Sequence, residues 1–139
     1  MQNEVRVERD SNGRYLAVSR EIDASAERVW DVLTDTACWP EWGPSVWAVE
    51  CADRTIRLGS SGRIKTPFGL ELPFEITTYD EFYWSWDVAG LPATGHRVEE
   101  LADRNGCRVV FSLPLFAVGY VPVCQRALSR IDRLADEGI

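Results

Sequence analysis

Apolar and polar residues alternate with a period of two along most of this chain, and the period lengthens to that of a helix in only a few places. In Tyr15–Ile22, Leu16, Val18, Arg20 and Ile22 fall opposite Tyr15, Ala17, Ser19 and Glu21, which predicts a strand. Ala26, Val29, Trp30 and Leu33 then recur at helical spacing, so one face of a short helix from Ala26 to about Thr34 is apolar. Ser25 is placed to cap it, and Glu27 complements its positive end. A second short helical turn, capped by Asp35, is expected within residues 35–44 and is ended by Gly43-Pro44.

From Val46 to Leu113 the pattern is strand and turn. Strands are predicted at Val46–Glu50, Ser61–Thr66, Leu70–Tyr79, Phe82–Val88, Thr94–Leu101 and Cys107–Leu113, with a short extended piece at Ile56–Leu58. Pro67-Phe68-Gly69, Gly90-Leu91-Pro92 and Asn105-Gly106 supply turns, the last as a two-residue hairpin signal. Strands joined this closely are antiparallel. Residues 1–13 end in the turn signal Ser11-Asn12-Gly13 and are expected to form a loose segment ahead of the first strand. Pro122 opens a final helix in which Val123, Ala127, Leu128, Ile131, Leu134 and Ala135 share a face, Arg126, Arg130 and Arg133 take the other, and Gly138 ends it. An antiparallel sheet with one long amphipathic helix to cover one face is an α+β architecture.

Composition narrows the function. The chain has 139 residues, the length of one domain, and no repeat, so residues 1–139 are expected to be a single domain. The N-terminus lacks the apolar stretch of a signal peptide, and the uncharged run from Val109 to Gln125 is broken by Pro114, Gly119 and Pro122. A cytoplasmic protein without integral membrane association is the expectation, as a monomer or homodimer. A net charge of −7 disfavours nucleic acid. Cys38, Cys51, Cys107 and Cys124 have no C-x-x-C spacing, and there is one histidine. No metal site or cofactor is expected, and the thiols read as small buried hydrophobes. No nucleophile elbow, phosphate loop or dinucleotide fingerprint is present.

The order of motifs resembles a known superfamily. Ile22 to Asp35, the Trp39-Pro40-Glu41-Trp42 pattern, Gly62–Thr66, Trp86 to Gly90, His96-Arg97-Val98-Glu99, the Asn-Gly turn and the terminal helix are together similar to the SRPBCC superfamily of START, pathogenesis-related and polyketide cyclase-like domains. The polyketide cyclase/dehydrase-like members are the nearest. The resemblance spans residues 15–137. It implies a helix-grip fold: a curved seven-stranded antiparallel sheet wrapped around the C-terminal helix, two short helices after the first strand, and a deep cavity for a hydrophobic small molecule or lipid.

Strand parity selects the residues that face such a cavity. Leu70, Leu72, Phe74 and Ile76 form one set, and Phe82, Trp84, Trp86 and Val88 a second. His96 and Val98 form a third, and Cys107, Val109, Phe111 and Leu113 a fourth. The candidate ligand contacts are Trp42, Ile64, Leu72, Phe74, Trp84, Trp86, His96, Val98, Phe111, Tyr120 and Cys124, any of which can equally be core. Trp39 and Trp42 either close one end as a lid or anchor the short helix. His96 is the candidate catalytic residue, an acid or base near neutral pH, or else a structural histidine. Three functions follow: binding or transport of an apolar molecule; a cyclase or dehydratase in which His96 or Tyr120 moves protons; or a protein-interaction module with an exposed patch around Trp39, Trp42 and Phe116. A void of roughly 300 Å³ or more, with His96 pointing into it, would favour the small-molecule readings.

Overall fold

A computed structural model describes residues 3–136. The element order is β1 (Asn3–Asp10), β2 (Gly13–Ile22), α1 (Ala26–Thr34), α2 (Trp39–Trp42), β3 (Ala48–Cys51), β4 (Ser61–Lys65), β5 (Glu71–Asp80), β6 (Tyr83–Val88), β7 (Leu91–Glu100), β8 (Cys107–Pro114) and α3 (Val121–Asp136). A 3-10 turn, Leu115–Tyr120, joins β8 to α3. All eight strands form one antiparallel sheet in the order β1-β2-β8-β7-β6-β5-β4-β3. The helices cover its concave face, and the shared core runs from Leu16 and Val18 through Trp39, Phe74 and Trp84 to Leu128 and Ile131.

The expected elements stand, with four corrections. The sheet has eight strands, because the segment expected to be loose is β1, paired with β2 from Asn3↔Arg20 to Asp10↔Gly13. Its two apolar residues, Val5 and Val7, remain exposed, so no burial pattern announces it. Backbone pairing across the Ser11-Asn12 turn forms it. The expected Gly90-Leu91-Pro92 turn is instead Ala89-Gly90, with φ of 54° and 78°. Two positive φ values match the twist of a two-residue hairpin, and Ala at the first position hides that signal. β7 therefore starts at Leu91. The Asn105-Gly106 hairpin is a longer loop over residues 101–106, because Glu100 already pairs with Cys107. Asp35 does not cap α2: its side chain accepts from the Ala37 amide, and Cys38 occupies the N-cap. The expected helix end at Gly138 lies outside the described residues.

Helix placement follows local chemistry. Ser25 Oγ accepts from the Arg28 amide at 3.2 Å and caps α1. Arg28 Nε donates to the Ala135 carbonyl at 2.6 Å, tying α1 to the end of α3, where free carbonyls favour a cation. Arg20 of β2 meets Asp132 of α3 at 2.8 Å.

Gly62 shows how closely the far edge of the sheet is joined. A Cβ there would lie 2.0 Å from the Glu50 carbonyl oxygen of β3. Backbone cannot swing aside as a side chain does, so Gly62→Ala is expected to cost at least about 1–3 kcal/mol. A lower urea midpoint with faster amide exchange in β3 checks this; an unchanged midpoint would mean β3 gives way freely.

Candidate functional site

Where β6 meets β7 the register shifts between Ser85 and Asp87, so Ala93 and Thr94 together oppose Trp86. This bulge brings Thr94 and His96 of β7 beside the Trp86 ring. Trp86 Nε1 donates to Thr94 Oγ1 at 3.1 Å, and Thr94 Oγ1 lies 3.0 Å from His96 Nε2. His96 Nδ1 lies 3.3 Å from the Trp84 carbonyl. That carbonyl can only accept, so Nδ1 carries the proton and Nε2 accepts from the threonine hydroxyl. The imidazole stacks on Trp84 at 3.8 Å between centroids and is fully buried. Burial drives its pKa down to about 3, against a small upward pull from the Trp84 carbonyl, so at neutral pH the ring is uncharged.

Above this network lies a cavity of about 40 Å³. Trp42, Trp86, His96, Phe111, Tyr120 and Cys124 line it, with Thr94 and Ala127. Its mouth lies between the loop after α2 and the start of α3, where Ser45 Oγ and Tyr120 OH share a hydrogen bond of 2.6 Å. Burial pushes the Tyr120 phenol up, only partly offset by its bond to Ser45, and pushes the Cys124 thiol up to about 12. Neither group ionises at neutral pH, so the wall is electrically neutral.

Six of the sequence-derived contacts, Trp42, Trp86, His96, Phe111, Tyr120 and Cys124, meet at this cavity. Ile64, Leu72, Phe74, Trp84 and Val98 do not line it. They face the same side of the sheet, where Ile64, Phe74, Trp84 and Val98 are buried and Leu72 is half-buried against the core. Trp39 lies parallel to Trp84 at 5.3 Å, and meets Phe74 at 5.4 Å and Trp86 at 5.3 Å, edge-on in both cases. This aromatic stack fills the space where a deep cavity was expected, and the observed void is far below 300 Å³. At about 10–15 Å³ per water it holds only a few. Leu70, expected inward, is exposed just before β5 begins.

Trp39 and Trp42 are buried anchors for α2 and not an exposed patch, with Nε1 donating to Leu33 O at 2.9 Å and Val32 O at 3.2 Å respectively. Of that expected patch only Phe116 is exposed. Trp84 Nε1 is buried without a hydrogen-bond partner among the described residues. Thr94 was missed from the sequence, although it stands two residues from His96 on one strand face and period two points to it. Ser45 sits in a loop and gives no such signal. Larger concavities of about 380 and 340 Å³ lie on the convex side of the sheet; the first mixes Asp10, Arg14 and Arg97 with Tyr15, Tyr83 and Val110, and the second is lined mainly by polar residues such as Glu8 and Arg97.

A curved antiparallel sheet closed by a C-terminal helix, with its opening between α2 and the start of α3, defines a helix-grip protein of the SRPBCC type. Residues 15–133 match the family described as polyketide cyclase / dehydrase and lipid transport, and the chain belongs to that family. No curated protein matches it. Solved structures with the same fold include the protein XoxI from Bacillus cereus, with a TM-score of 0.69 and 17% identity over 87% of this chain and 94% of that one. Protein MLL2253 from Mesorhizobium loti has a TM-score of 0.69 and 16% identity over 91% and 99% of the two chains. Protein Ms6760 from Mycobacterium smegmatis has a TM-score of 0.64 and 20% identity over 98% and 100%. At these identities the likeness shows the fold alone. Among the described residues no helix is long and apolar enough to cross a membrane.

Proposed function

We propose that this protein is a binding domain for a small, flat, apolar molecule, held between Trp42, Trp86, Phe111 and α3. The observation that carries this is a cavity whose lining side-chain nitrogen and oxygen groups are already hydrogen-bonded within the protein. Trp86, Thr94 and His96 form a closed chain ending on the Trp84 carbonyl. A guest rich in hydrogen-bonding groups would lose water and find no partner on that wall. An apolar guest loses nothing. The hydroxyls of Ser45 and Tyr120 suit a single polar end at the mouth.

The same network favours binding over proton transfer, because His96 has its donor and acceptor engaged and is hard to protonate. Entry requires the Ser45–Tyr120 contact to part, freeing the 3-10 turn. On this reading the pocket must enlarge to admit a guest, since about 40 Å³ has room for only a few waters.

Thermal denaturation with naphthalene or indole as probes tests this. A ligand at one hundred times its Kd stabilises by about 2.7 kcal/mol, a rise of several degrees in Tm for a chain of this size. Ala127→Leu places a larger side chain in the void and is expected to abolish the rise while the chain still folds. Tyr120→Phe removes the latch and is expected to speed binding. If no apolar probe shifts the wild-type Tm, the pocket is only a packing defect.

A further inference from the structure

The strand registers place several loops at one end of the sheet. Trp47 donates to Lys65 O at the start of β3, and Lys65 pairs with Glu71 across the β4–β5 turn. Ala89 donates to Pro73 O, Val88 pairs with Leu91, and Gly95 pairs with Ser112 near the end of β8. The 3-10 turn follows directly. Most of the large exposed hydrophobic residues gather here, including Trp47, Phe68, Leu70, Leu91, Phe116 and Val118. Phe68 and Phe116 are 99% and 89% exposed. The cavity mouth, at Ser45 and Tyr120, opens within this rim.

Charge is withdrawn from the same end. Residues 42–49, 66–70, 88–95 and 109–125 contain no Asp, Glu, Lys or Arg, in a chain that is 27% charged with net −7. Charges of both signs border the rim, among them Lys65, Glu71, Asp87, Arg126 and Glu41, with Arg9, Asp10 and Arg14 at the β1–β2 turn, and they nearly cancel. The loops at the opposite end carry Asp23, Asp53, Arg54, Asp80, Glu81, Asp103 and Arg104. An uncharged end on an acidic protein complements a surface without net charge, whereas an anionic surface would repel the remainder of the molecule.

We propose that this rim docks on a neutral, zwitterionic lipid–water interface, with Phe68 and Phe116 inserting from separate turns and Trp47 at the headgroup level. The occupant follows from shape as well as charge. Side chains this exposed, carried on separate turns, stand apart as projections. A fluid apolar phase surrounds each projection, while a rigid protein partner needs a continuous, complementary face. Trp at the border of such a rim suits an interface that is wet on one side and apolar on the other. The docking rests on the rim and not on whether the pocket accepts a guest.

Flotation with phosphatidylcholine vesicles tests the proposal on the full chain. The wild type is expected to float with the vesicles with little dependence on salt. Phe68→Glu combined with Phe116→Glu is expected to lower partitioning at least tenfold. Both side chains are exposed, so circular dichroism should confirm an unchanged fold. Leu58→Glu, an exposed apolar position at the opposite end, and Ala127→Leu in the pocket are expected to float as the wild type does. Failure of the wild type to float, or retained flotation of the double variant, would overturn the proposal. So would binding confined to anionic vesicles and lost in salt, which would assign docking to the arginines. A wild-type dimer that the double variant breaks, with no lipid binding, would make a second copy the occupant instead.

Discussion

Between pH 7 and pH 4.5 the wild-type protein is expected to lose about 2.5 kcal/mol more stability than a His96→Gln variant. The folded-state pKa of His96 is depressed to about 3, while in the unfolded chain it returns to about 6.5. Between those values the unfolded chain binds a proton that the folded chain refuses. Stability is therefore fully present above pH 6.5 and falls by about 1.4 kcal/mol per pH unit as the pH drops toward 3. The physical cause is the environment: a charged imidazole stacked on Trp84 and beneath Trp42 and Phe111 has lost its water. Gln in its place can still accept from Thr94 but does not titrate. Urea midpoints of both proteins at the two pH values give the difference directly, because losses from surface carboxylates are common to both. Equal losses in the two proteins would mean that His96 is hydrated and free to titrate, and the closed hydrogen-bond chain would fall with it.

Trp39→Ala is expected to destabilise the protein by about 3–5 kcal/mol, the usual cost of removing a large buried aromatic side chain. That is a large part of the stability of an ordinary domain, about 5–15 kcal/mol. Trp39 is 1% exposed and touches Phe74, Trp84 and Trp86 at once. Its Nε1–H also satisfies the Leu33 carbonyl near the end of α1. Truncation leaves an apolar void beside Trp84 and an unpaired acceptor. Added indole is expected to restore part of the loss in Trp39→Ala, since it supplies the missing ring and the missing N–H. A variant that denatures at the wild-type midpoint, or that gains nothing from indole, would show that this ring does not fill the concave face.

These two outcomes concern the features that were hardest to read in advance. Period two along β5, β6 and β8 identified the inward faces, and Phe74, Ile76, Trp84, Val109 and Phe111 are buried as that period requires. Ser25 and the spacing of Ala26, Val29 and Leu33 gave α1 its bounds. In contrast, β1 is an exposed edge strand, so its register depends on a neighbour and not on its own side chains. Leu70 kept the right parity but lies before the strand starts, where parity no longer fixes direction. The site divided in the same way. Trp86, His96 and Phe111 reached the cavity by parity, and Trp42, Tyr120 and Cys124 by their places on the helical side. Phe74 and Trp84 share that parity and were shut away by Trp39, which arrives from a distant segment.

The chain's own pattern of residues determined which faces are apolar, the order of the helices and of strands β2 to β8, and the family they form, because backbone periodicity and turn chemistry are local. Only the tertiary structure decided how much of the concave face stays empty, which protonation state His96 keeps, and where the exposed aromatics collect. Each of those depends on groups far apart in sequence competing for one volume, and no spacing along the chain records which of them fills it.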